Sequence, residues 1–299
     1  MKKTSADQER QHISGRLSTR RPWWRYPIIW MLVGTLGIIL VGTLGVALED
    51  TLFRPLAGQA DGVASLLVTL TAGIAAILVY RLTMKYLAHR SSPELSRKRA
   101  GMEAGMGILT GAIFIAVSTM VIAAAGGYSF QWASSADMGS VLITSVTSAL
   151  SAAMIEELVF RGLMLQAIHK MAGSWAALAV TSIFFGAAHL GNAGATLWSA
   201  FAITVEAGIL LGAAFLWRRN LWYVMGLHFA WNTLESLLGI PVSGHPPAGL
   251  FTVEVNGAAI LTGGDFGLEG SVVPVVVSLL IAIPMLIGAA RNRKALEKV

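Results

Sequence analysis

Long apolar runs separated by short polar and basic clusters fill this chain, and each run has the length of a bilayer crossing. About 20 consecutive apolar residues in a helix cover the hydrocarbon core. By that measure the sequence predicts eight helices, over 27–48, 62–83, 103–126, 139–168, 174–191, 195–217, 221–239 and 271–290. The fourth is longer than a span requires, so it is expected to tilt or to project into the cytosol. The expected fold class is therefore all-α, a polytopic membrane helical bundle of about eight transmembrane helices.

Lys and Arg placement sets the expected orientation, because cytoplasmic loops near helix ends carry the excess. Basic residues cluster in the tail before 27, again at Arg81, Lys85, Arg90, Arg97, Lys98 and Arg99, at Lys170, at Arg218 and Arg219, and at Arg291, Arg293, Lys294 and Lys298. The intervening loop 49–61 has Arg54 against three acids, while 127–138, 190–194 and 240–270 have neither Lys nor Arg. Eight spans with both termini cytoplasmic satisfy this alternation. The chain then divides into a basic cytoplasmic tail at 1–26, three helices over 27–138, a core of four helices over 139–239, an extracytoplasmic loop at 240–270, and a last helix with a basic tail over 271–299. A multi-pass protein of the cell membrane is expected, with the first span retained rather than cleaved as a signal peptide.

Composition supports this reading. Of the 299 residues, 55% are hydrophobic and 13% charged, and the mean hydropathy of +0.66 lies outside the soluble range. The net charge of +6 is scattered among membrane-end clusters and does not form one basic surface, so no nucleic-acid partner is expected. Membrane lipid and a peptide or membrane-protein substrate are the expected partners. With no cysteine, disulfides, thiolate metal sites and a cysteine nucleophile are excluded.

Several residues read as structural. Trp23, Trp24, Trp30, Trp217 and Trp222 fit interfacial belts. Gly34, Gly37, Gly42, Gly45, Gly101 and Gly105 fit close helix packing. The Gly- and Pro-rich 240–270 segment reads as a loop with few structural constraints. His12, His89, His169 and His245 fall in tails or loops and read as solvated, and Trp231 reads as packing.

Ionisable groups within a span are costly to bury and so are functional candidates. In the fourth helix, Glu156 and Glu157 are adjacent, with Arg161 four residues after Glu157 on the same face. Glu157 and Arg161 are expected to pair, leaving Glu156, about 100° away, without that partner and available as a general base or acid. His189 comes four residues after Phe185, and His228 precedes Asn232 by four. Counting 1.5 Å per residue places Glu156 and His189 near ~21 Å depth and His228 and Asn232 at roughly 12–18 Å. Glu156 and His189 could hold and deprotonate a water, while His228 and Asn232 donate to an oxyanion. The alternative is zinc held by Glu156, His189 and His228 with an open position for water, and the cofactor stays open between none and zinc. Glu206 and Glu235 are candidates for orienting a histidine, with Glu235 also placed to reach the outer interface. A transporter or proton relay, and a non-catalytic immunity or scaffold protein, are competing readings.

The set E-E-x-x-x-R at Glu156, Glu157 and Arg161, F-x-x-x-H at Phe185 and His189, and H-x-x-x-N at His228 and Asn232 resembles the CPBP family, the CAAX proteases and bacteriocin-processing (Abi) enzymes that include type II CAAX prenyl endopeptidases. The similar region runs from about 140 to 239. The resemblance implies an intramembrane peptidase in which Glu156 activates water, His189 assists it, His228 and Asn232 bind the oxyanion, and Glu157 and Arg161 fill the remaining motif positions. Members of the family are often described as metalloproteases, so the resemblance leaves the cofactor open as well.

Overall fold

Residues 26–53, 61–134 and 137–296 are described by a computed structural model. The basic tail before 26, with Trp23 and Trp24, lies outside them, as do Arg54 and Lys298.

Ten α-helices and one β-ribbon make up the described chain. Pro27, whose missing N–H costs nothing at a helix start, opens α1 (Pro27–Leu48). Next come α2 (Asp61–Leu82) and α3 (Ala100–Ala124). Strand β1 (Tyr128–Trp132) then leads to α4 (Met138–Glu157), whose first turn is capped by the Asp137 side chain accepting from the Gly139 N–H. A wide turn at Leu158–Met164, in which bonds run from i to i+5, joins α4 to α5 (Leu165–Ala188) without a break in the helical path.

A Thr196–Ser199 capping box starts α6 (Leu197–Ile203), and a second wide turn at Thr204–Ile209 carries it into α7 (Leu210–Arg218). Asn220 caps α8 (Leu221–Leu237) by accepting from the Trp222 and Tyr223 N–H groups. Strand β2 (Phe251–Val255), the single turn α9 (Ala259–Thr262) and α10 (Val272–Leu296), with Pro284 inside it, complete the fold.

Among the described residues, six segments are long and apolar enough to cross a membrane: Pro27–Thr51, Gly62–Leu87, Pro93–Ala124, Met138–Gly191, Leu197–Arg218 and Val272–Asn292. The Met138–Gly191 segment is 54 residues long and is broken within α5 at Gly173, whose φ of 83° and ψ of 174° leave the helical region. Only glycine adopts that conformation cheaply. The fourth and fifth helices expected from sequence are therefore two helices that meet at Gly173. Helix α8 has 17 residues and is wrapped by its neighbours, with α3 and α4 packed along it.

Close approach sets the α3–α8 contact. A Cβ on Gly107 would lie 2.0 Å from the Tyr223 carbonyl oxygen, and one on Gly111 would lie 2.4 Å from that of Leu227. Gly101 and Gly105, the glycines of this helix expected to pack, have nothing within 4 Å; the packing glycines are Gly107 and Gly111, which face α8. In α1 the expectation is met, since Gly34 abuts Leu163 and Thr83, and Gly37 abuts Val79. Trp30 is 2% exposed and belongs to the core, not to an interfacial belt.

The 240–270 segment is tied down, contrary to the loop expected from its composition. Strand β2 pairs antiparallel with β1, from Tyr128 opposite Val255 to Trp132 opposite Phe251, and Trp132 packs edge-on against Phe251 at 5.2 Å. Asn192 donates to the Ser243 carbonyl at 3.0 Å, the Gly244 N–H to the Phe266 carbonyl at 2.8 Å, and the Trp198 indole to the Gly270 carbonyl at 2.8 Å. Helix prediction from apolar runs is blind to such a cap, because its partners are far apart in sequence.

Candidate active site

Glu156 and Glu157 end α4, where the wide turn begins. The extra residue in that turn rotates the helix beyond it, so Arg161 folds back to donate to Glu157 Oε1 at 2.8 Å while its other nitrogen donates to the Ala207 carbonyl at 2.6 Å. That carbonyl lies in the second wide turn and also accepts from the Leu210 N–H. Arg161 is 2% exposed and Glu157 fully buried, and the guanidinium stacks over the Phe185 ring at 4.7 Å. The predicted Glu157–Arg161 pair is present.

The same Glu157 Oε1 lies 2.9 Å from His228 Nδ1. Sequence spacing carries no sign of this contact, which joins α4 to α8 and fixes the face that the His228 ring presents. His189, at the end of α5, places Nδ1 2.7 Å from the Phe185 carbonyl. A carbonyl only accepts, so Nδ1 carries the proton and Nε2 is left as the ring's acceptor. Phe185, four residues earlier, stacks on His189 at 4.8 Å and on Phe160 at 4.7 Å. The F-x-x-x-H spacing thus holds the imidazole by both its edge and its face.

Glu156, His189, His228 and Asn232 line one cavity of about 20 Å³, together with Phe185, Trp231, Ser243 and Glu269. One water needs roughly 10–15 Å³ on the same measure, so the cavity matches a single water or one small polar group. Glu156 Oε2 is buried with no partner among the described residues. An unsatisfied carboxylate oxygen facing a water-sized, polar-lined space is a place where a water is held. The four residues share this cavity despite the depth difference counted from the sequence.

Glu206 and Glu235 are fully buried and neither lines the cavity; both oxygens of each lack a partner among the described residues. Glu235 therefore does not reach the outer interface. Trp231 packs edge-on against Phe114 at 4.7 Å, as expected, and also walls the cavity. His169 is half-buried against Ser174 at 3.1 Å and is not a solvated residue.

Sequence reasoning misses Ser243 and Glu269. Both come from the 240–270 segment, and Ser243 Oγ donates to Glu269 Oε2 at 2.6 Å. Burial pushes the Glu269 carboxyl above its ordinary range, while the Ser243 bond and the nearby His189 and His228 rings act in the opposite direction. Glu269 is one of three acids in 240–270, with Glu254 and Asp265, and nothing in its sequence neighbourhood marks it out.

Among the described residues, no three His, Asp or Glu side chains are disposed to hold a metal ion. Both Nδ1 atoms are committed, to Phe185 and to Glu157, which leaves each Nε2 facing away from those partners. Glu156, His189 and His228 share a cavity without forming a coordination shell among the described residues, and no chemical step is routed through a metal.

Carboxylate, imidazole and amide groups thus converge on a buried, water-sized space within an apolar helical bundle. Residues 137–234 match the family described as type II CAAX prenyl endopeptidase Rce1-like. The match covers about a third of the chain, and all the motif residues from Glu156 to Asn232 lie within it. No curated protein and no solved structure matches the chain.

Proposed function

We propose that the protein is an intramembrane endopeptidase that hydrolyses peptide bonds of membrane-associated peptides or proteins. One observation carries the reading: Glu156, His189, His228 and Asn232, from three helical paths, share a cavity of about 20 Å³.

A water held between the free oxygen of Glu156 and Nε2 of His189 gives up a proton to Glu156 as its oxygen attacks the substrate carbonyl. The resulting oxyanion accepts hydrogen bonds from Asn232 Nδ2 and from His228 Nε2–H, with the other His228 proton directed at Glu157. Arg161 and Glu157 do not touch the reacting atoms; they orient His228. Collapse of the intermediate breaks the C–N bond, and Glu156 returns the proton to the leaving amine. Eight spans with both termini cytoplasmic remain the topology that the Lys and Arg distribution favours.

The test is hydrolysis of membrane peptides by the purified protein, comparing wild type with Glu156→Gln and His189→Ala. Loss of one general acid–base group typically costs 10²- to 10⁴-fold, and both variants are expected to fall at least about 10²-fold while melting as the wild type does. Equal turnover in all three would refute the assignment. Full activity after treatment with a strong chelator is the further expectation, and a loss restored by zinc would return the metal reading.

A further inference from the structure

A second polar cavity opens at one end of the bundle. It measures about 540 Å³ and is lined by Trp30, Arg90, Gln166, His169, Lys170 and Arg219. These come from the start of α1, the turn after α2, the Gly173 bend and the α7–α8 turn, so four paths converge at one membrane end. Its volume lies within the range of small-molecule sites.

The charge balance there is one-sided. Glu94 is the carboxylate near the cavity, and its oxygens already receive the Tyr80 hydroxyl and both Arg90 nitrogens, the latter at 2.9 and 3.1 Å. Lys170 and Arg219 form no ion pair among the described residues, although Glu94 attracts Arg219 at longer range. Arg219 also has a left-handed backbone, φ 52° and ψ 37°, at the cap where α7 ends. Glycine is the inexpensive residue at such a cap, and a side chain there costs about 1–2 kcal/mol. An arginine at that position is better explained by its guanidinium than by its backbone.

We propose that this cavity is a binding site for a phosphate-bearing anion, the headgroup of an anionic phospholipid or a free phosphate, held by Lys170 and Arg219 with Arg90 beside them. Arginine and lysine are the side chains that bind phosphate oxygens by charge-assisted hydrogen bonds. Basic pockets between helices at the cytoplasmic face are where such headgroups lodge, and Lys and Arg placement puts this end in the cytoplasm.

The site also borders the catalytic turn. Arg90 donates to Gln166 Oε1 at 2.7 Å, and Gln166 donates to the Gly162 carbonyl at 2.8 Å. Gly162 is next to Arg161, whose bond to Glu157 orients His228. An occupied cavity would therefore clamp one side of the turn that follows Glu156 and Glu157.

Binding can be read without any peptidase assay. The full chain is melted in neutral phosphatidylcholine discs, in discs containing phosphatidylglycerol, and in neutral discs with added inorganic phosphate. The same series is run on Lys170→Ala/Arg219→Gly and on Arg97→Ala/Lys98→Ala, which removes two exposed charges elsewhere on the basic face. Arg219→Gly suits the left-handed backbone, so a lost effect in that variant is not a folding failure. Phosphatidylglycerol or phosphate is expected to raise the wild-type Tm by at least about 2 °C, the Arg97→Ala/Lys98→Ala variant is expected to respond equally, and Lys170→Ala/Arg219→Gly is expected to lose the response. Whichever additive acts identifies the source. No response in wild type, or an equal response in all three proteins, would overturn the proposal, the second result assigning the effect to diffuse surface charge.

Discussion

Glu157 carries two partners on one oxygen, Arg161 at 2.8 Å and His228 at 2.9 Å, and this shared acceptor is the pivot of the site. Removing one member of a buried ion pair leaves the other charge uncompensated, at a cost of about 3–5 kcal/mol. Arg161→Met is therefore expected to lower the unfolding free energy by that order, read by denaturant melts. Glu157→Gln combined with it should recover part of the loss. A fully stable Arg161→Met protein would show that the pair does not support the fold. Glu269 gives a pH signature of its own. Burial holds its carboxyl above the ordinary value in the folded state, against Ser243, His189 and His228, so its favourable contribution is present at pH below the ordinary glutamate range and is lost as pH rises through the raised value. Wild type is thus expected to lose Tm relative to Glu269→Gln as pH increases over that interval, and a constant difference would contradict it.

At the level of elements, the two wide turns decide what the helices can deliver. A regular α-helix through 158–164 would place Arg161 without reference to Ala207, whereas the observed turn lets it bridge to the second wide turn at Thr204–Ile209. Such turns usually mark functional sites and rarely announce themselves in sequence. The α3–α8 contact is the other controlling element. Gly111→Val would drive a side chain into the Leu227 carbonyl, 2.4 Å from the new Cβ, and is expected to cost at least about 1–3 kcal/mol. Gly105→Ala, where the space is open, should be neutral or slightly stabilising. Thermal melts of the two variants side by side separate packing glycines from incidental ones. The motif F-x-x-x-H is legible as a pair on one helical face, since i and i+4 residues stack along it. That Phe185 also carries the Arg161 guanidinium is not, because that contact crosses between paths.

For the whole molecule, topology and capping govern how the site meets its surroundings. Ser243 and Glu269 bring the 240–270 segment to the cavity, and the proposed eight crossings with cytoplasmic ends would place that segment outside. Single cysteines introduced into this chain, which has none of its own, at position 254 and in the C-terminal tail should react with an impermeant thiol reagent from opposite faces of sealed cells or inverted vesicles. Labelling of both from one face would break the assignment. The segment whose composition suggests an unconstrained loop holds two residues of the cavity. Glycine and proline content signals turns, yet turns that close on distant partners and turns that stay open share one composition.

The sequence by itself determined the all-helical membrane class, the residues of the polar set, and the Glu157–Arg161 pair. Apolar run length and i to i+4 spacing are properties of neighbouring residues, and the cost of burying charge makes each intramembrane polar group stand out. Tertiary structure alone decided that Glu157 rather than Glu156 meets His228, that Ser243 and Glu269 join the cavity, that Gly107 and Gly111 make the close helix contact, and that the basic turns enclose a second cavity. Each of those is a meeting of residues far apart in the chain, set by how helices bend, tilt and pack.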